Sequence, residues 1–253
     1  MEDNPVNYVD PTGQIKESEA KDADQILNEL KVNYNVDIQK DYGWNDYGYG
    51  GCWNPGAWAN LDELLWTKEA INDVANAMEG RTHFMILFKN EPIHITRTPD
   101  SGGGRSWAPL PPILSSMFGD VNLVGNKFDD ELSLKHTVAH ELGHIWDYRN
   151  NFRLSNGMEK LLGTEICSSG YGYKSDCRFD VTAGKERWVG NPNNPYPNDY
   201  NHLPLPQNIE GPWEDWADSF AVYVNDAYYK SQGYNVLGPI RRQYIYDQIH
   251  DWE

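Results

Sequence analysis

The stretch Leu134-Lys-His-Thr-Val-Ala-His-Glu-Leu-Gly-His-Ile-Trp-Asp constrains this chain more than any other. Leu134, Val138, Leu142 and Ile145 recur at a spacing of three or four, which predicts a half-buried helix. The run Phe128-Asp-Asp-Glu-Leu-Ser before it supplies acidic and capping residues for the amino end. Residues four apart share a helix face, so His140 and His144 turn two imidazoles to one side. Such a pair can hold one metal ion, and Glu141 beside them is placed to take a proton from water next to it. The pattern His-Glu-x-x-His arises by chance in roughly one chain in a hundred of this size. Its context therefore decides its weight.

A tetrahedral zinc that keeps one position open for water needs three protein ligands. A continuation with glycine at 147 and histidine at 150 is excluded, since Asp147 and Asn150 stand there. Asp147 and Glu165 are carboxylates just downstream, though Asp147 points onward from the metal. Pro212-Trp-Glu-Asp-Trp-Ala-Asp-Ser-Phe-Ala-Val-Tyr-Val offers more. Its Trp213, Trp216, Ala217, Phe220, Ala221 and Val224 recur at helical spacing and predict an amphipathic helix packed on the core. Glu214 and Asp218 lie four apart on that helix, and carboxylates facing a core are costly unless paired or metal-bound. Glu214 and Asp215 also read as solvated acids at a helix amino end. Asp218, one turn in, between Ala217 and Phe220, does not.

His-Glu-x-x-His followed by a helix bearing Glu-x-x-x-Asp resembles the gluzincins, the thermolysin-like metallopeptidases. The segment Glu-Asp-Trp-Ala-Asp-Ser-Phe-Ala looks like its counterpart in toxin peptidases of the anthrax lethal factor type. The resemblance covers these two helices alone, and the 70 positions from His144 to Glu214 exceed the interval in thermolysin. It implies an α+β, zincin-like fold: a small mixed sheet with an active-site helix and a third-ligand helix. It implies Zn2+ held by His140, His144 and Glu214, with Asp218 gripping a zinc-bound histidine by its other ring nitrogen and so raising ligand basicity. Glu141 is then the general base of a zinc endopeptidase acting on a protein or peptide substrate. The oxyanion needs a further donor, for which the family uses a Tyr or His near the third-ligand helix. Tyr200 and His202 are nearest upstream, with Tyr196 and Tyr223 behind them.

Asn4-Pro-Val-Asn-Tyr-Val-Asp-Pro-Thr-Gly resembles the closing motif of the RHS/YD-repeat core, where Asp-Pro-x-Gly borders a variable terminal domain. The stretch also reads simply as turns. The resemblance implies that residues 1–13 end such a core and 14–253 form the metallopeptidase domain, a toxin or effector. Its partners would be the repeat shell of a parent protein and an immunity protein, and it would be secreted or delivered as part of that larger protein. Gln14 departs from the apolar residue usual after the glycine, which puts self-cleavage there in doubt.

Composition narrows the rest. A net charge of −17 over 253 residues argues against nucleic acid as substrate. No apolar run is long enough to span a bilayer, and no signal peptide is evident. Three cysteines are too few for a disulfide framework. Cys167 and Cys177 flank a Gly/Ser/Tyr-rich insertion and could bridge it, with two free thiols as the alternative. Cys52 reads more readily as a buried free thiol than as a cysteine blocking the metal.

Helices are expected over Ser18–Leu30, Leu61–Met78 and Ile240–Trp252. A buried strand is expected over His83–Phe88, paired with Ile93–Thr96. Val121, Asn122, Leu123 and Val124 form a short edge strand that binds substrate by strand addition. Trp44, Tyr47, Tyr49, Trp53, Trp58 and Trp107 line a cleft or merely pack loops. His83, His94, His136 and His250 read as structural or surface residues. A second class stays open, a catalytically silent domain in which the metal only staples the fold. Glu141 favours the enzyme, because a purely structural site has no use for a base.

Overall fold

The structure, a computed structural model, describes residues 15–38, 58, 60–98, 120–124, 130–162, 212–231, 237 and 239–251. Helix α1 (Ala20–Tyr34) ends at Asn35, whose φ of 56° is left-handed and whose N–H reaches back to Leu30 and Lys31 carbonyls. Asparagine tolerates that conformation, so the chain can reverse directly into strand β1 (Val36–Ile38). Helices α2 (Leu61–Ala77) and α3 (Arg81–Leu87) follow, then β2 (Ile93–Thr98) and β3 (Val121–Val124). The sheet order is β1-β2-β3, with Val36 opposite Ile93 and Ile95 opposite Val121.

Among the described residues both pairings are parallel, where a mixed sheet was expected. Parallel neighbours require a crossover, and α2 with α3 supplies the one between β1 and β2. Alternation puts Val36, Ile38, Ile93, Ile95, Val121 and Leu123 into the core. Among them sits Arg97, fully buried, with Nε 3.2 Å from Glu63 Oε2 of α2 and Nη1 donating to the Leu123 carbonyl. That pair ties helix to sheet.

The expected strand over His83–Phe88 is instead helix α3, and β2 pairs with β1 and β3. The apolar run His-Phe-Met-Ile-Leu-Phe fits either structure by composition. Its burial decides the matter: Phe84, Leu87 and Phe88 are buried at helical spacing, while Ile86 is exposed. Gly80, at φ 108°, turns the chain from α2 into α3 in a conformation other residues rarely adopt.

The long helix α4 (Glu131–Arg149) carries the His-Glu-x-x-His segment. Its cap is Asp130, whose carboxylate accepts from Ser133 N–H at 2.8 Å. Its far end is tied by Arg149, which donates to the Phe88 and Pro92 carbonyls. The expected stripe is buried, but so are His136, Ala139, Gly143, Trp146 and Asp147. The helix is therefore central rather than half-exposed. Helices α5 (Arg153–Leu162), α6 (Pro212–Val224), α7 (Asp226–Ser231) and α8 (Pro239–His250) complete the described elements. Trp146 of α4 packs edge-on against Trp216 and Phe220 of α6, with ring centroids 5.3 and 5.4 Å away. No described helix is long and apolar enough to cross a membrane.

Candidate metal centre

Two helices face each other at one glycine. A Cβ added at Gly143 would lie 3.1 Å from Ala217 Cα and 3.2 Å from a Phe220 ring carbon. The absent side chain lets α6 come up against α4, and Trp216 Nε1–H closes the seam by donating to the Gly143 carbonyl at 2.9 Å. Gly143→Ala is expected to loosen it. Overpacking costs about 1–3 kcal/mol, more than the ~1 kcal/mol gained in helix propensity. Urea unfolding should then show a chain less stable than the parent. Parent-like stability would mean that this contact does not set the helix spacing.

Across that seam, 70 positions apart in sequence, the chemistry converges. His140 Nε2 and His144 Nε2 are 2.9 Å apart, and the Glu214 carboxylate lies 3.3 Å from the first and 3.5 Å from the second. Donors on a tetrahedral zinc stand about 3.3 Å apart, given bond lengths of ~2.0–2.1 Å. The three groups match that spacing. Lone pairs this close repel unless a cation, proton or metal, lies among them. Two imidazoles and a carboxylate suit zinc in kind as well as in spacing.

Asp218 holds the arrangement from behind. Its Oδ1 accepts from His140 Nδ1–H at 2.7 Å, which leaves the Nε2 lone pair turned toward His144 and Glu214. Burial alone would lower the pKa of His140, but the charge and hydrogen bond of Asp218 outweigh it and raise it. Burial likewise tends to raise Glu214, yet hydrogen bonds from His140 and His144 prevail and hold it well below the ordinary carboxylate range. Glu141 behaves differently. It is 3% exposed, burial raises its pKa against the pull of both histidines, and its Oε2 has no hydrogen-bond partner among the described residues.

Asp147 does not join the cluster. Its Oδ1 accepts from the backbone N–H groups of Leu154 and Ser155 at 2.9 and 3.0 Å, capping the start of α5. Tyr223 lines a separate open cleft of about 540 Å³ with Asp73, Asp226, Arg242 and Tyr246. Trp58 is buried rather than facing a cleft. His83 and His250 both approach Glu79, and His94 is exposed beside Asp37. β3 forms one margin of the described sheet. Cys52, Glu165, Cys167, Cys177, Tyr196, Tyr200, His202, the Asn4–Gly13 stretch and the aromatics at 44, 47, 49, 53 and 107 lie outside the described residues.

Two groups escaped the reading of the sequence. Asp215, which reads there as a solvated acid, is buried, and Arg241 of α8 donates to it from Nε at 3.0 Å and Nη2 at 2.9 Å. Ser219 Oγ adds a third bond to the same carboxylate at 3.1 Å. This clamp secures the turn of α6 that bears Glu214. His136 is also buried, with Nδ1 3.0 Å from the Tyr229 hydroxyl. For His136 a signal existed, because it continues the four-residue spacing of His140 and His144. Asp215 offered none, since Arg241 lies 26 positions away with no pattern linking them.

Comparison with family models, with curated proteins and with solved structures returned no match.

Proposed function

We propose that this chain is a zinc-dependent endopeptidase whose centre is His140, His144 and Glu214, with Glu141 as general base. The observation that carries the reading is the convergence of three ligand atoms, 2.9–3.5 Å apart, beside a buried carboxylate with an unbonded oxygen. Zinc held there would supply Lewis acidity, lowering the pKa of water toward ~7 and polarising a carbonyl.

The chain's own residues have separate tasks. Asp218 fixes the His140 tautomer so that Nε2 offers a lone pair. Glu141 receives the proton of the attacking water and returns it to the leaving amine. Its burial excludes bulk solvent from the carboxylate and, by raising its pKa, makes it a better base than a solvated carboxylate. A purely structural site leaves such an unbonded carboxylate as uncompensated cost, which favours the enzyme over a silent scaffold. The extended substrate would add alongside β3. The role of a toxin or effector carried by an RHS-type protein rests on the resemblance of the Asn4–Gly13 stretch.

The test is metal content by mass spectrometry on chain purified without chelator, paired with cleavage of a mixed peptide library. One zinc per chain and zinc-dependent cleavage are expected. Zinc should leave as the pH falls, because imidazole ligands hold a metal only in their neutral form. A chain that takes up no zinc even when supplied would overturn the reading.

A further inference from the structure

His136 sits one turn before His140 on α4, 4% exposed, in a part of the core that the proposed reaction does not use. A buried polar atom without a partner is costly, and native proteins rarely keep one without a reason. Here Nδ1 is bonded to the Tyr229 hydroxyl of α7, while Nε2 has no partner among the described residues. Ligand-type atoms of His136, His140 and Asp218 lie within 4.8 Å of one another.

The position of the ring proton follows from its surroundings. Burial, aided by the charge of His140, pushes the pKa of His136 down to about 3, so the ring is neutral and carries one proton. Burial and the nearby charge of Asp218 raise the pKa of Tyr229, so its hydroxyl keeps its hydrogen. If Nδ1–H donated to Tyr229, the hydroxyl hydrogen would lack a described acceptor. If Tyr229 donates to Nδ1, that problem vanishes. The proton is then on Nε2, on a ring with a ligand-type nitrogen within 4.8 Å of the Asp218 carboxylate.

We propose that His136, oriented by Tyr229, is a positioning residue for the metal centre: its Nε2–H supports the Asp218 carboxylate, which in turn fixes His140. The chain Tyr229–His136–Asp218–His140 thus runs from α7 through α4 and α6 back to α4. A second metal at His136, His140 and Asp218 is disfavoured, because His140 Nδ1 would have to surrender its 2.7 Å bond to Asp218.

The inference rests on the zinc reading above, and its test separates the two. Zinc affinity of the full chain is measured by competition with a chromophoric chelator across pH, for the parent and for His136→Leu, His136→Gln and Tyr229→Phe. Unfolding of the metal-free forms is followed in parallel, and cobalt(II) absorption reports ligand geometry. His136→Leu is expected to lose about 10–100-fold in zinc affinity, the usual effect of removing such an outer partner. Its pH midpoint for zinc binding should move upward and its cobalt bands should shift. Glutamine, which restores an N–H donor, should recover most of the loss. Tyr229→Phe removes one oxygen without disturbing packing and should weaken binding in the same direction, by less. Parent-like affinity and cobalt spectra in His136→Leu and Tyr229→Phe would overturn the proposal, as would a loss that only tracks stability and is not rescued by glutamine. Two zinc ions per parent chain would overturn it too. A parent that binds no zinc defeats the zinc reading itself, and this inference with it.

Discussion

Glu141→Gln should leave zinc binding intact and slow peptide hydrolysis by at least about 10²–10⁴-fold, the usual contribution of a positioned base. Glutamine keeps the shape of the side chain but cannot accept a proton, so the loss isolates that one task. Mass spectrometry should still find zinc in the variant. Cleavage at the parent rate would mean that another group takes the proton, and the mechanism would be wrong. Stability should move the other way. Glu141 is buried and its pKa is raised above the ordinary 4.5, chiefly by burial. A carboxyl raised in the folded state contributes stability that is full below its unfolded pKa and is lost as the pH rises through the folded pKa. In metal-free protein, the parent should therefore weaken relative to Glu141→Gln as the pH rises above about 4.5. Urea unfolding at a series of pH values reads this directly. A difference that stays flat with pH would mean Glu141 is not strained by its site.

Arg241→Leu should be the most destabilising single change at the centre's periphery. Arg241 and Asp215 are both buried and joined by two hydrogen bonds. Removing the cation leaves the Asp215 carboxylate, among the described residues, with only the Ser219 hydroxyl to satisfy it in place, at a cost of about 3–5 kcal/mol. At this chain length each kcal/mol lowers Tm by about 2–4 °C. Because Asp215 is next to Glu214, zinc affinity should fall as well. The double variant Asp215→Leu with Arg241→Leu should recover much of the stability, since an apolar pair replaces the ionic one without leaving a lone charge. Chemical unfolding of the metal-free full chain checks both. A single variant within about 0.5 kcal/mol of the parent, the range of ordinary surface changes, would mean that the pair does not hold α6.

The separation of local from long-range information is visible residue by residue. Helical spacing alone places His140 and His144 together, because four residues return a helix to the same face, and it puts Glu141 one turn before His144. The same rule sets Glu214 one turn from Asp218, and periodicity marks α2 within a residue of its observed end. Val121–Val124 reads as a short strand and is one. The run at His83–Phe88 defeats such rules, because strand and buried helix share its composition. Which one forms depends on the neighbours that bury Phe84, Leu87 and Phe88.

The sequence by itself therefore determined which groups share a helix face: the two imidazoles of α4, and the acid pair of α6. Only the tertiary structure decided that those faces meet, through the missing side chain at Gly143 and the Trp216 bond to its carbonyl. It also decided that Asp215 is a clamped core ion and not a solvated one, and that His136 stands near Asp218 with Tyr229 behind it. The physical reason is common to all of these. Periodicity is written within a few residues, whereas burial, and the partner each buried polar group must then find, depend on segments dozens of residues away.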